Sequence, residues 1–331
     1  MTKILVIRFS SIGDIVLTSP VIRCIKEQLP EAELHVLTKI QYSNLYTSNP
    51  HVDYVHEWGE DNKIVLSDLK LASFDYVVDL HKNLRTSKIK SHLRKKSFSF
   101  PKLNLQKWLY VNFKWNLMPD VHIVDRYFEA VKSLGVKNDR KGLDFRIQID
   151  IVSFFKRFPP DQKYVAVAIG AQFATKRMPA EKMSEVLNNI KLPIVIVGGP
   201  DDREEGEKIK RLLPHQNINN TCGAFTIHES AQVVKDAQLL ITNDTGMMHI
   251  AAAFDLPIVS IWGNTVPDFG MYPYRPQSLD SYSIHEVKNL SCRPCSKIGF
   301  AKCPKGHFKC MMDQDVVEIK AQIEKFLREL D

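Results

Sequence analysis

Two short stretches of the chain carry the residue types best suited to chemistry. Near its start, Arg8-Phe9-Ser10-Ser11-Ile12-Gly13-Asp14 follows the apolar run Ile4-Leu5-Val6-Ile7. A strand leading into a nucleotide-binding turn normally carries glycines there, so that backbone amides can approach a phosphate. This turn has two serines, one glycine and a carboxylate, and Asp14 would repel a phosphate. Much further on, Thr242-Asn243-Asp244-Thr245-Gly246 closes one apolar run and opens a small-residue helix, with His249 near one turn in. Free amides of Thr245 and Gly246 at that helix start suit an anion, and Asp244 suits ribose hydroxyls. An ordinary aspartate cap beside a packed histidine would leave the same trace.

Two neighbouring loops favour the ligand. Residues 170–179 follow another apolar run and contain Thr175 and Lys176, the lysine a natural countercharge for a diphosphate. Gly198-Gly199-Pro200-Asp201-Asp202 follows a third. A separate dense feature is Cys292, Cys295, Cys303 and Cys310, four thiols within 19 residues with His307 among them. Such a set can satisfy tetrahedral zinc, and can equally be packed free thiols. Disulfides are disfavoured in a reducing compartment. Cys24 and Cys222 read as small buried residues.

The elements that must position these residues follow from periodicity. A chain of 331 residues exceeds the size at which single cores stop growing, so two domains are expected. Short apolar runs alternate with helical patterns, which argues for parallel sheets wound by helices. Strands are expected at residues 3–8, 33–37, 54–57, 76–79, 164–169, 194–197, 239–242 and 258–262. Helices are expected from Ser19-Pro20 to about Gln28, and at residues 125–134, 180–190, 203–212, 227–235, 246–253 and 316–330. The pattern breaks at Phe158-Pro159-Pro160-Asp161. The expected fold is α/β, two Rossmann-like doubly wound domains facing a cleft: residues 1–158, then 159–315 with the cysteine cluster, then a terminal helix at 316–331. Ligands are expected beyond the carboxyl ends of the strands.

Charge is unevenly distributed. Of a net +7, ten basic residues fall between His81 and Asn116, a segment without Asp or Glu, so the rest of the chain is mildly acidic. An anionic partner is expected there. No apolar run reaches the roughly 18 residues that span a bilayer, and the start lacks a signal peptide's long apolar core, so a cytoplasmic protein is expected.

Taken in order, the residues resemble the heptosyltransferases of glycosyltransferase family 9. The matching pieces are Ile7 to Pro20, Lys176-Arg177-Met178-Pro179, and Thr242-Asn243-Asp244-Thr245-Gly246 with His249-Ile250-Ala251-Ala252-Ala253. Val78-Asp79-Leu80-His81-Lys82-Asn83-Leu84-Arg85 resembles the family's acceptor-side loop. Met178 departs from the tryptophan the family often has.

The resemblance implies a glycosyltransferase-B fold and inverting transfer of a heptose from ADP-heptose to a lipopolysaccharide core acceptor, with no cofactor in catalysis. It makes Asp14 the general base and gives Lys176 a catalytic part at the donor phosphates. Thr175, Asp244, Thr245, Gly246 and His249 would line the donor pocket. Ser10, Ser11, Gly13, Asp79, Asn83 and Arg85 would meet the acceptor. The implied partners are a nucleotide sugar, a phosphorylated lipid-linked oligosaccharide and the anionic cytoplasmic face of an inner membrane, with no nucleic acid. A structural zinc would fall to the four cysteines. Two other readings are a transferase or epimerase of another nucleotide sugar, and a nucleic-acid-binding protein built on the basic stretch and a zinc site. The last leaves Asp14, Lys176 and Asp244 unexplained.

Overall fold

The computed structural model describes residues 1–158 and 162–329, which divide into two compact units. The first unit is Met1–Leu103 with Val121–Arg146. The second is Asn104–Asp120 with the described residues from Ile147 onward. The joint expected at Pro159-Pro160-Asp161 lies outside the described residues. The helix Ile151–Arg157 just before it belongs to the second unit, where Phe154 meets Phe225 at 5.5 Å and Arg157 pairs with Glu229.

In the first unit, five parallel strands are β1 (Lys3–Ile7), β2 (Glu33–Lys39), β3 (Tyr54–Trp58), β4 (Tyr76–Asp79) and β5 (Lys96–Ser99), in the order β3-β2-β1-β4-β5. Central β1 is apolar without alternation because helices cover both faces of a doubly wound sheet. Its Leu5 and Ile7 share a core with Leu37, Leu69, Phe74 and Val77. The helix Ser19–Gln28 starts with Pro20 in its first turn and stops at Leu29, before Pro30.

The helix expected at 125–134 is shorter, Ile123–Phe128, followed by a 3₁₀ turn Lys132–Leu134 that ends on Gly135 at φ 79°. The apolar residues decide this. Tyr127, Phe128, Ala130 and Val131 are buried, and their three-residue spacing matches the tighter bonds from Ala130 N to Tyr127 O and from Val131 N to Phe128 O.

In the second unit, six parallel strands are β6 (Val165–Ala168), β7 (Ile194–Val197), β8 (Ile218–Asn220), β9 (Leu239–Asn243), β10 (Ile258–Trp262) and β11 (Tyr282–Glu286), ordered β11-β10-β9-β6-β7-β8. The winding helices are Ala180–Leu187, Arg203–Leu212, Ile227–Lys235, Gly246–Ala252 and Val316–Arg328. The expected last turn at Leu330 lies outside the described residues. No described helix is long and apolar enough to cross a membrane.

Both sheets reverse direction of growth once. The reversal lies between β1 and β4 in the first and between β6 and β9 in the second. The loops leaving those four strands therefore flank the crevices where open α/β sheets bind ligands.

Candidate active site

In the first unit the loop after β1 is built around Arg8. A guanidinium closing an apolar strand is buried by its neighbours, and Arg8 is 7% exposed. Such a charge must be matched. Its Nη1 donates to the Leu80 carbonyl (2.5 Å) and the Tyr127 hydroxyl (3.0 Å), and Nε donates to the Ser10 carbonyl (2.9 Å). Its Nη2 pairs with Asp14 Oδ1 at 2.5 Å. Burial works against the charge, but Asp14, with Tyr127 and Tyr46, outweighs it and the Arg8 pKa is raised.

The other oxygen of Asp14 accepts from the Ser11 amide (3.1 Å) and hydroxyl (2.9 Å), closing a capping box on the short helix Ile12–Val16. The carboxylate is thus fixed at both oxygens yet keeps a quarter of its surface open. Gly13 is buried, and Ser11 is exposed.

The loop after β4 supplies the second wall. Asp79 is fully buried: Oδ1 accepts from the amides of His81 (3.1 Å) and Lys82 (2.7 Å), and Oδ2 pairs with Lys90 at 2.9 Å. It shapes the loop from within. Asn83 caps the helix Leu84–Leu93 by accepting from the Thr86 amide at 3.0 Å. Arg85 is exposed, and its guanidinium lies over the Phe9 ring at 5.2 Å, against the Asp14 loop. The basic stretch therefore separates by task. Lys82, Lys90 and Lys102 hold the loop, Lys82 and Lys102 through carbonyls, while Arg85 faces outward.

His81 packs edge-on to Phe9 at 5.4 Å, and burial, followed by the charges of Arg8 and Lys102, pushes its pKa down to about 4. An unfolded histidine takes up its proton near 6.5. Stability from neutral His81 is therefore complete above pH 6.5 and is lost as the pH falls from there toward 4. Urea unfolding should show this decline, and His81→Asn should flatten it.

In the second unit, the loops after β6 and β9 meet. Lys176 Nζ pairs with Asp244 Oδ2 at 2.5 Å, and the Thr265 hydroxyl donates to the same oxygen at 2.7 Å. Asn243, buried at the end of β9, fastens the two loops: its Oδ1 accepts from the Met178 amide (3.2 Å) and its Nδ2 donates to the Ile169 carbonyl (2.9 Å). Thr245 is the N-cap of the helix Gly246–Ala252 and accepts from the Met247 amide at 3.0 Å, and His249 is buried on that helix. Thr175 is bound to the backbone of Phe300, accepting its amide at 2.8 Å, so it anchors the cysteine-bearing loop. Met178 lies in the core.

Asp202 is the buried acid of the third loop. It accepts from the Gly199 amide (2.8 Å) and pairs with Arg177 at 3.1 Å. It sits so close that a Cβ at Gly170 would lie 2.3 Å from its Oδ2, which accounts for that glycine. The cysteine loop is clamped by Arg293, which donates to the Gly263 (2.5 Å) and Thr265 (2.7 Å) carbonyls and pairs with Glu286 at 2.7 Å. Its four cysteines are free thiols, and among the described residues no three His, Cys, Asp or Glu side chains gather as a metal site.

Each unit thus presents one charged centre at its sheet's reversal: a pinned carboxylate in the first, a lysine paired with an aspartate in the second. The profile of glycosyltransferase family 9 (heptosyltransferase) matches residues 65–299. The chain belongs to glycosyltransferase family 9.

This family 9 glycosyltransferase is 26% identical over 327 residues to lipooligosaccharide heptosyltransferase 2 of Campylobacter jejuni, with 96% of each chain covered. Its fold matches a glycosyl transferase family 9 structure from Veillonella parvula at a TM-score of 0.78 and 20% identity, covering 99% of this chain and 98% of that one. It also matches E. coli ADP-heptose lps heptosyltransferase II at a TM-score of 0.73 and 17% identity, with both chains covered completely. The likeness agrees with the glycosyltransferase-B architecture expected from the sequence. Arg8 and Asn243 stand in the quoted motifs without a role of their own, and Thr265 carries none in the sequence. A cation ending the run ILVI, where a buried charge demands a partner, was the available signal for the first.

Proposed function

We propose that the enzyme transfers a heptose from ADP-heptose to a lipopolysaccharide core acceptor with inversion at the anomeric carbon. The observation that carries this is the division of charge between the two units: Asp14, held at both oxygens, and Lys176 beside Asp244. Asp14 accepts the proton of an acceptor hydroxyl as that oxygen attacks the anomeric carbon. The bond from that carbon to the β-phosphate oxygen breaks, and ADP departs with the electron pair. The Lys176 ammonium has three N–H donors, enough to keep Asp244 and still reach a phosphate oxygen as charge builds there. Asp244, Thr245, Gly246 and His249 border the nucleotide sugar, and Thr175 holds the neighbouring loop. Ser10, Ser11, Gly13, Asn83 and Arg85 border the acceptor, Arg85 meeting its phosphates or acidic sugars. Asp79 acts through the loop it shapes.

The sugar and nucleotide are supported by the names of the Campylobacter and E. coli relatives. A lipid-linked acceptor would bring the enzyme to the cytoplasmic face of the inner membrane. Incubation with ADP-, UDP- and GDP-sugars and a deacylated core acceptor, with product mass and anomeric configuration measured, tests the reading. The expected product is the acceptor plus one heptose, from the ADP donor alone and with the opposite anomeric configuration to the donor. Retention of configuration, or conversion of the donor without acceptor, would overturn it.

A further inference from the structure

Residues 104–120 interrupt the first unit in sequence but belong to the second in space. The helix Asn104–Phe113 is fastened there on one side. Tyr110 meets the Phe269 ring edge-on at 6.0 Å, and Lys107 lies over the same ring at 5.6 Å. Asn116 donates to Asp268 at 2.8 Å, and Lys114 donates to the carbonyls of Cys292 (3.3 Å) and Pro294 (2.7 Å).

The other side is apolar and uncovered. Trp108, Phe113 and Trp115 are 46%, 51% and 61% exposed, and their rings follow one another at 5.4 and 5.5 Å. Three neighbouring aromatic rings left in water on one short segment mark an interaction surface.

Lys114 also joins this row to the cysteine loop, whose residues 292–312 carry Arg293, Lys297, Lys302, Lys305 and Lys309 and no carboxylate. The four lysines are exposed, as are Ile298 (60%) and Phe300 (39%). Through Lys114 the second unit thus joins a row of indole and phenyl rings to a loop that carries four exposed lysines.

We propose that this row and the cysteine loop together form a docking surface for an anionic phospholipid bilayer. Aromatic rings favour the membrane–water boundary, and lysines near an anionic leaflet are drawn to its surface charge. For an element lying on a membrane surface, binding strengthens with the apolar area buried and with the attraction of its basic residues to anionic lipid. The same charge disfavours a second copy as occupant, since two such faces would repel. This deepens the proposed membrane-borne acceptor by naming the face that meets the lipid. It needs no sugar chemistry to be tested, so its failure and that of the transfer reading are separate results.

The test uses the full chain, without donor or acceptor, sedimented with vesicles of phosphatidylcholine alone or mixed with phosphatidylglycerol. Of its four tryptophans Trp262 is buried and Trp58 half-buried, so Trp108 and Trp115 dominate any shift in emission on binding. Binding is expected to be at least tenfold tighter to the mixed vesicles, with a blue shift. The variant Trp108→Ala/Phe113→Ala/Trp115→Ala and the variant Lys297→Glu/Lys302→Glu/Lys305→Glu should each lose tenfold or more. Both should keep wild-type unfolding curves and turnover on the deacylated acceptor. Equal binding to the two vesicle types, or undiminished binding by the aromatic variant, would overturn the proposal. So would a concentration-dependent dimer that the aromatic variant abolishes, because the face would then belong to a second copy.

Discussion

Replacing Asp14 with asparagine should reduce turnover by about 10²- to 10⁴-fold, the usual worth of a general base, while leaving donor affinity nearly unchanged. Asparagine has the same shape and keeps an oxygen for Arg8, but its Nδ2 meets the Ser11 amide as donor to donor and can bond only the Ser11 hydroxyl, which must turn to accept. What it cannot do is take a proton. Arg8 loses its countercharge, and with the guanidinium 7% exposed a drop in stability is expected alongside the kinetic loss. The two effects separate cleanly. Arg8→Met should destabilise the loop and disorder Asp14, and Arg8→Lys should restore part of the activity. Asp14→Asn should instead remain folded and inactive. Steady-state kinetics over both substrates, with melting curves for each variant, distinguishes them. Near-normal turnover by folded Asp14→Asn would remove Asp14 from the chemistry.

Much of this arrangement was legible because doubly wound sheets announce themselves locally. Fully buried parallel strands are uniform apolar runs, as in ILVI of β1 and IVIV of β7, and helices begin where Ser19-Pro20 and Ile227 place them, although the cap of the first is Thr18 and Ser19 is its first helical residue. The strands that escaped notice are those whose residues do not advertise a core. β5 reads KSFS and is half exposed, β8 is the three residues INN, and β11 lies at a sheet edge with one buried residue among five. Edge strands are held by pairing with a neighbour, which sequence periodicity does not encode.

The stretch from His81 to Asn116 was legible as basic, but residues 104–120 were not legible as part of the second unit. That assignment rests on contacts across more than 150 residues, from Asn116 to Asp268 and from Lys114 to Pro294. The same holds for the site. Asp14, Lys176 and Asp244 stand out by type and position at strand ends. Asp79 stands out equally well and proves to be an internal brace. A carboxylate at a strand end can face a ligand or its own loop, and only the paths of its two oxygens decide.

The second large effect is expected at Lys176. Its ammonium pairs with Asp244 at 2.5 Å, and the pair is mostly shielded, the side chains 19% and 10% exposed. Lys176→Met should lower kcat/KM for the donor by about 10²- to 10³-fold, the range for removing one group aimed at developing charge. Weaker inhibition by ADP should accompany it, since the product carries the same phosphates. The variant also leaves Asp244 with only the Thr265 hydroxyl at that oxygen, so some stability is lost by a route unrelated to catalysis.

Asp244→Asn in the same background removes the unpaired charge and should recover that stability, with the two substitutions coupled as contacting residues are. It should not recover kcat/KM. That contrast separates a lysine that serves the leaving group from one that merely neutralises Asp244. Lys176→Arg keeps the charge but spreads it over a planar fork, so it should retain donor binding better than methionine while falling short of lysine in kcat. If the double variant instead regains both stability and turnover, the ion pair is a structural clasp between the loops after β6 and β9, and the charge that meets the departing diphosphate must come from elsewhere in the second unit.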